Sequence, residues 1–120
     1  MKMPGSLPAP FAIDHHALGE ADLIVVVGEL DIRTAPGFSR ALERLDASEE
    51  RPVVLDLCDV SFVDSSGLRA LVAGQQTLAS AGRPLHLACS SAPVRRTLER
   101  SGLADRFSIF ESRDQAIAAH

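Results

Sequence analysis

The run Leu23-Ile24-Val25-Val26-Val27, stopped by Gly28, is apolar at every position. A strand with one wet face alternates in polarity, whereas an unbroken run of β-formers needs cover on both faces. Val53–Leu57 and Leu85–Ala88 are similar, each apolar except for one polar residue, Asp56 and His86. Three such runs demand a sheet with helices packed on it, and the segments between them supply helices.

Thr34 stands where an N-cap belongs, with Pro36 tolerated in the first turn of a helix expected from Ala35 to Asp46. Phe38, Ala41, Leu42 and Leu45 fall on one face of it at spacings of three and four. A second helix is expected over Gly67–Ala81, with Leu68, Leu71, Val72, Gln75, Leu78 and Ala79 inward and Gly82 as a left-handed cap. A third, Pro93 to Ser101, ends at Gly102 with Leu103 beyond it. Ser112 and Gln115 form a capping box for a last helix, Arg113 to Ala119. Phe11–His16 and Phe107–Phe110 are short strands, and Leu18–Asp22 is a turn. The order β, β, α, β, α, β, α, β, α is that of an α/β domain with right-handed crossovers. The sheet is mixed and mostly parallel, with about five strands and about four helices, and the opening pair is an antiparallel hairpin.

Residues 1–10 carry Pro4, Pro8 and Pro10 and read as a flexible Pro-rich tail, leaving 11–120 as a single domain. No Trp or Tyr and only five Phe are present, so the core is aliphatic and aromatic platforms for single-stranded nucleic acid are lacking. A net charge of −4 also argues against nucleic acid. Residues 1–50 hold nine acidic and four basic side chains, compatible with a basic protein partner or with a solvated face. Nothing approaches the roughly 20 apolar residues that cross a bilayer, and Cys58 and Cys89 are too few for a disulfide scaffold. The expectation is a cytoplasmic protein without membrane contact.

The chemistry concentrates in Asp56-Leu57-Cys58-Asp59-Val60-Ser61-Phe62-Val63-Asp64-Ser65-Ser66-Gly67-Leu68. A strand ends, a loop crosses Ser61-Phe62, and Asp64-Ser65-Ser66-Gly67 opens a helix. Each of Asp64, Ser65 and Ser66 can cap that helix by accepting a first-turn N–H. Yet two hydroxyls and a carboxylate crowd where one oxygen suffices. Gly67 costs about 1 kcal/mol against Ala and leaves the helix mouth without a covering side chain. A phosphate would be accommodated there by free N–H groups and the helix dipole.

The string Asp64-Ser65-Ser66-Gly67-Leu68, preceded by Leu55-Asp56-Leu57 and Val60-Ser61-Phe62, closely resembles the signature of STAS domains in anti-sigma factor antagonists. Gly28-Glu29-Leu30-Asp31 is similar to that family's first loop, and Pro93-Val94 through Ser101-Gly102-Leu103 to its third helix and cap. The resemblance covers about residues 11–119 and implies the STAS fold. It implies a switch and not an enzyme, needing no cofactor. The unphosphorylated domain would bind an anti-sigma factor that is a serine kinase of the histidine-kinase-like ATPase class, so freeing a sigma factor. Phosphorylation of Ser65 would release it, and a metal-dependent serine phosphatase would reset it. Asp64, Ser66, Gly67 and the loop Gly28, Glu29, Leu30 and Asp31 would face the partner.

Other readings are weaker. Ser65 is in no Gly-x-Ser-x-Gly elbow, and His15, His16, His86 and His120 offer no evident base for a hydrolase. No Cys/His pair has metal-ligand spacing. A STAS scaffold subunit of a stress-sensing or lipid-transport complex is the alternative function. Cys58 and Cys89 are expected at matching ends of neighbouring strands, within reach of each other or simply unreactive. Arg95, Arg96 and Arg100 form a basic strip on the third helix, Arg96 and Arg100 sharing a face.

Overall fold

A computed structural model describes residues 10–88 and 92–119. Strands β1 (Ala12–Ala17) and β2 (Asp22–Leu30) precede helix α1 (Ala35–Glu43), followed by β3 (Val53–Val63) and α2 (Ser65–Ser80). Then come β4 (Leu85–Ala88), α3 (Ala92–Arg100), a 3-10 turn (Ala104–Arg106), β5 (Ser108–Phe110) and α4 (Arg113–Ala118). The strands lie in the order β1-β2-β3-β4-β5. The β1–β2 hairpin is antiparallel and every later pairing is parallel, as the chain order predicts.

Strand residues divide by parity between two unequal cores. Ile24, Val26, Val53, Leu55, Leu57, Leu85 and Leu87 pack with Phe38 and Leu42 of α1, Leu71 and Leu78 of α2, and Val94 and Leu98 of α3. The alternate residues Leu23, Val54 and Ala88 pack with Ala116 of α4 in a smaller cluster. Helix cover on both faces is what the unbroken apolar run of β2 requires. On the α4 side, Asp56 of β3 takes charge-assisted hydrogen bonds from Arg113 at 2.8–2.9 Å. Burial alone would raise the Asp56 carboxyl; Cys58 and Arg113 outweigh it and hold the group below its ordinary value.

Several boundaries differ from the sequence expectations. The third strand does not stop at Leu57 but runs to Val63, so Ser61-Phe62 is strand and not loop. Two irregularities against β2, near Val26 and at Ser61, let β3 carry polar residues without breaking the ladder. Cys58 therefore lies inside the strand and not at its end, which removes one premise of the cysteine pairing. Cys89 lies outside the described residues, as does nearly all of the tail. The buried stripe of α2 is Gly67, Ala70, Leu71, Gly74 and Leu78, while Ala79 is exposed. The stripe is rotated because Gly74 brings α2 close to Leu42 of α1, where an added Cβ would lie 2.5 Å from Leu42 Cδ1.

Gly82 ends α2 as expected, with φ of 75°. Its N–H reaches the Ala79 carbonyl at 3.0 Å and the next N–H, of Arg83, reaches Leu78 at 2.8 Å, a Schellman closure. That closure places Arg83 where an apolar contact is usual, yet Arg83 is 1% exposed. It is tolerated because each part of its guanidinium is engaged. Nη2 meets Asp22 Oδ2 at 2.5 Å, Nε the Arg51 carbonyl at 3.0 Å, and Nη1 the Asp46 carbonyl at 3.2 Å. Arg51 and His15 complete the cluster around Asp22, which tethers β1, β2 and the chain before β3 to the end of α2.

Candidate functional site

The C-terminal ends of β2 and β3 lie side by side, with Glu29 opposite Phe62 and Leu30 opposite Val63. Gly28 has φ of 103°, where the β2–β3 register shifts, a conformation side chains beyond glycine rarely adopt. Beyond Leu30 the loop is tied by Asp31. Its Oδ1 accepts the N–H groups of Arg33 at 2.9 Å and Thr34 at 3.2 Å, and its Oδ2 receives Arg33 Nη2 at 3.1 Å. The Arg33 hydrogen bond, aided by the backbone N–H groups of Arg33 and Thr34, holds the Asp31 carboxyl below its ordinary value despite burial. Thr34 occupies the cap position of α1 but does not cap it through its side chain. Its hydroxyl accepts the Asp31 N–H at 2.9 Å and donates to the Glu29 carbonyl at 2.8 Å, bracing the loop instead.

The mouth of α2 is built on that loop. The Asp64 N–H donates to the Leu30 carbonyl at 3.2 Å, and Asp64 Oδ1 accepts the Gly67 N–H at 3.0 Å. Asp64 is thus the cap among the three candidates. Ser65 is the first helical residue and exposed, Ser66 is half-buried, and Gly67 is buried. No hydrogen bond engages the Ser65 hydroxyl among the described residues; its carbonyl receives Arg69 Nε at 3.4 Å. Asp64→Ala is expected to cost about 1 kcal/mol of stability, and Ser66→Ala to stay within about 0.5 kcal/mol. Denaturant melts of both variants test the order, and a larger loss for Ser66→Ala would overturn it.

The structure brings Gly28, Glu29, Leu30 and Asp31 next to Asp64, Ser65, Ser66 and Gly67, as the motifs require. Their exposures differ from an even partner-facing surface. Gly28, Leu30, Asp31 and Gly67 are buried, Glu29, Asp64 and Ser66 are half-buried, and Ser65 is exposed. Gly67 faces inward, against the Leu30 carbonyl, so its bareness serves packing and not an open mouth. Arg33 was missed from the sequence, although a cation four residues after Glu29 and two after Asp31 is a readable signal. Its Nη2 lies 3.8 Å from Glu29 and 3.1 Å from Asp31.

Elsewhere, His86 is 7% exposed and packs its ring 5.2 Å from that of Phe110, with Nδ1 3.0 Å from the Ala116 carbonyl. Arg96 and Arg100 are exposed on α3 and Arg95 is half-buried. Among the described residues no group of three or more His, Cys, Asp or Glu could hold a metal ion, and no helix is long and apolar enough to cross a membrane.

Residues 16–116 match the model of the STAS domain. An anti-sigma-B factor antagonist of Listeria monocytogenes is 36% identical over 86 residues, which are 72% of this chain and 75% of that one. One of Staphylococcus aureus is 30% identical over 88 residues, covering 73% of this chain and 82% of the other. The crystal structure of an anti-sigma factor antagonist from Mycobacterium paratuberculosis superposes with a TM-score of 0.82 at 27% identity, over 92% of this chain and 96% of that one. The chain belongs to the STAS domain family.

Proposed function

We propose that this chain is an anti-sigma factor antagonist that binds an anti-sigma factor kinase, releases a sigma factor, and is switched off by phosphorylation of Ser65. The observation that carries the reading is the division of labour at α2: Asp64 does the capping, so the exposed Ser65 hydroxyl is left over for a kinase. The names of the curated relatives support the antagonist role.

The switch needs no refolding. A phosphate on Ser65 adds about −1.5 to −2 charge units. A helix N-terminus tolerates that charge. The partner-facing side, already bearing Glu29 and Asp64, becomes strongly acidic. Like charges brought together across an interface cost several kcal/mol, enough to lose most of a micromolar affinity. A metal-dependent serine phosphatase restores the binding form. Gly28, Leu30 and Gly67 contribute by setting the loop and mouth in place, and Glu29, Asp64 and Ser66 by contact.

The test is incubation with each purified serine-kinase anti-sigma factor of the source organism and ATP, with the phosphate mapped by mass spectrometry. Ser65→Ala is expected to bind the kinase and take no phosphate, Ser65→Asp to fold and bind weakly, and Ser66→Ala to be phosphorylated normally. Phosphate on Ser66, or undiminished labelling of Ser65→Ala, would sink the assignment. A wild type that binds no such kinase would favour the scaffold role.

A further inference from the structure

Among the described residues, two large apolar side chains are exposed: Ile32 at 72% and Phe62 at 47%. A single apolar residue on a surface needs no explanation. These two are not scattered. Phe62 sits opposite Glu29 at the end of β3, two residues before Asp64, and Ile32 follows Asp31 in the loop leaving β2. Both therefore lie at the adjoining ends of β2 and β3, beside the start of α2 at Ser65.

Ile32 is mostly outside the packing, and Phe62 leaves nearly half of its surface open. Ile32 stands between Asp31 and Arg33, whose mutual hydrogen bonds fix the loop without it. Val63, next to Phe62, fills the core at 4% exposure. Within seven residues of these two in the chain, the ionisable groups are the carboxylates of Glu29, Asp31, Asp56, Asp59 and Asp64 and the guanidiniums of Arg33 and Arg69, Glu29 lying opposite Phe62. A kinase whose active site reaches the Ser65 hydroxyl must cover the strand ends beside it, so an apolar centre there fits a partner with an apolar recess flanking that active site. A second copy of this chain would set acidic border against acidic border, which is unfavourable.

We infer that Ile32 and Phe62 are the apolar anchors by which the anti-sigma kinase grips the unphosphorylated chain. This rests on the antagonist reading above and adds a source of affinity that the phosphate does not touch. The two contributions separate kinetically. Buried apolar anchors slow dissociation, whereas the charged border sets the association rate and its salt dependence.

Surface plasmon resonance with the purified kinase that binds wild type tests this at several salt concentrations. Ile32→Ala and Phe62→Ala are each expected to weaken binding about tenfold or more, mainly by faster dissociation. Their salt dependence should match wild type; the melting temperature should hold for the Ile32 variants and fall modestly for the Phe62 variants, which lose a half-buried ring in β3. Ile32→Gln and Phe62→Gln, which keep length and lose apolarity, should fall alongside them. Unchanged affinity in all four variants, with wild type binding normally, overturns the inference and leaves the antagonist reading standing. Self-association of wild type that these variants abolish would assign the patch to a dimer and overturn it as well. If wild type binds none of the organism's serine-kinase anti-sigma factors, the antagonist reading and the inference fall together.

Discussion

Asp22→Ala is expected to lower the free energy of unfolding by about 3 kcal/mol, the lower end of what removing one partner of a buried ion pair costs. Asp22 is 2% exposed and the Arg83 side chain fully buried, so the deletion strands a buried guanidinium charge without its counter-ion. The lower end applies because Arg83 keeps its bonds to the Arg51 and Asp46 carbonyls. The pair need not be a net source of stability, since well-packed apolar replacements often match a buried ion pair. The double variant Asp22→Leu with Arg83→Met should therefore be less damaged than the two single losses combined, a coupling that a double-mutant cycle measures.

The pH dependence of that variant has a definite sign. Burial alone would raise the Asp22 carboxyl, but hydrogen bonds from Arg51, His15 and Arg83 overcome it and hold the group well below the usual carboxylate range. A carboxyl with a depressed folded value contributes stability that is fully present above its unfolded value and lost as pH falls towards the folded one. The gap between wild type and Asp22→Ala should be flat from neutral pH to about pH 4 and shrink below it. A gap that grows on acidification, read from denaturant melts across the acid range, would contradict the ion-pair account. Because Asp22 begins β2, at the opposite end of that strand from the Ser65 mouth, the folded variant should keep Ser65 as available as wild type.

What was legible in the chain was what local pattern determines. Leu23–Val27 announced a strand because every position is apolar, and Gly82 and Gly102 announced helix ends because each takes a positive φ that other residues resist. The end of β3 was not legible. Asp59 and Ser61 read as loop residues, yet register irregularities against β2 absorb them and keep the strand running to Val63. Nor could the sequence join Asp22 to Arg83, 61 residues apart, because a chain-wide crossover and not a local pattern brings them together. The candidate switch was half legible. Asp64 and Ser65 fell at the helix start as the motif requires, but Asp64, Ser65 and Ser66 were equivalent as caps until the Gly67 N–H was seen to point at Asp64. Ile32 was invisible in the same way, since exposure is a property of the fold.

Gly67→Ala separates local from tertiary reasoning most sharply, because the two give opposite signs. In an isolated helix the change should stabilise by about 1 kcal/mol. In the folded chain, a Cβ on residue 67 would lie 2.4 Å from the Leu30 carbonyl oxygen and 3.0 Å from Val63 Cγ1. The first of these is a backbone atom that accepts the Asp64 N–H and ends β2, so it cannot rotate away as a side chain could. Overpacking against fixed structure costs about 1–3 kcal/mol and sometimes more, and here relief requires α2 to lift from the β2 end. The expected net result is destabilisation by roughly 2 kcal/mol. The same displacement would stretch the Asp64 cap and shift Ser65, so slower phosphorylation should accompany the lost stability. Gly74→Ala is the control: its Cβ would meet the terminal Cδ1 of Leu42, a side-chain atom with freedom to move, and Ser65 lies more than two helical turns away. It should lose less stability and keep a wild-type phosphorylation rate. A stabilised Gly67→Ala protein, measured by denaturant melt, would show that the α2 mouth is looser than this packing requires.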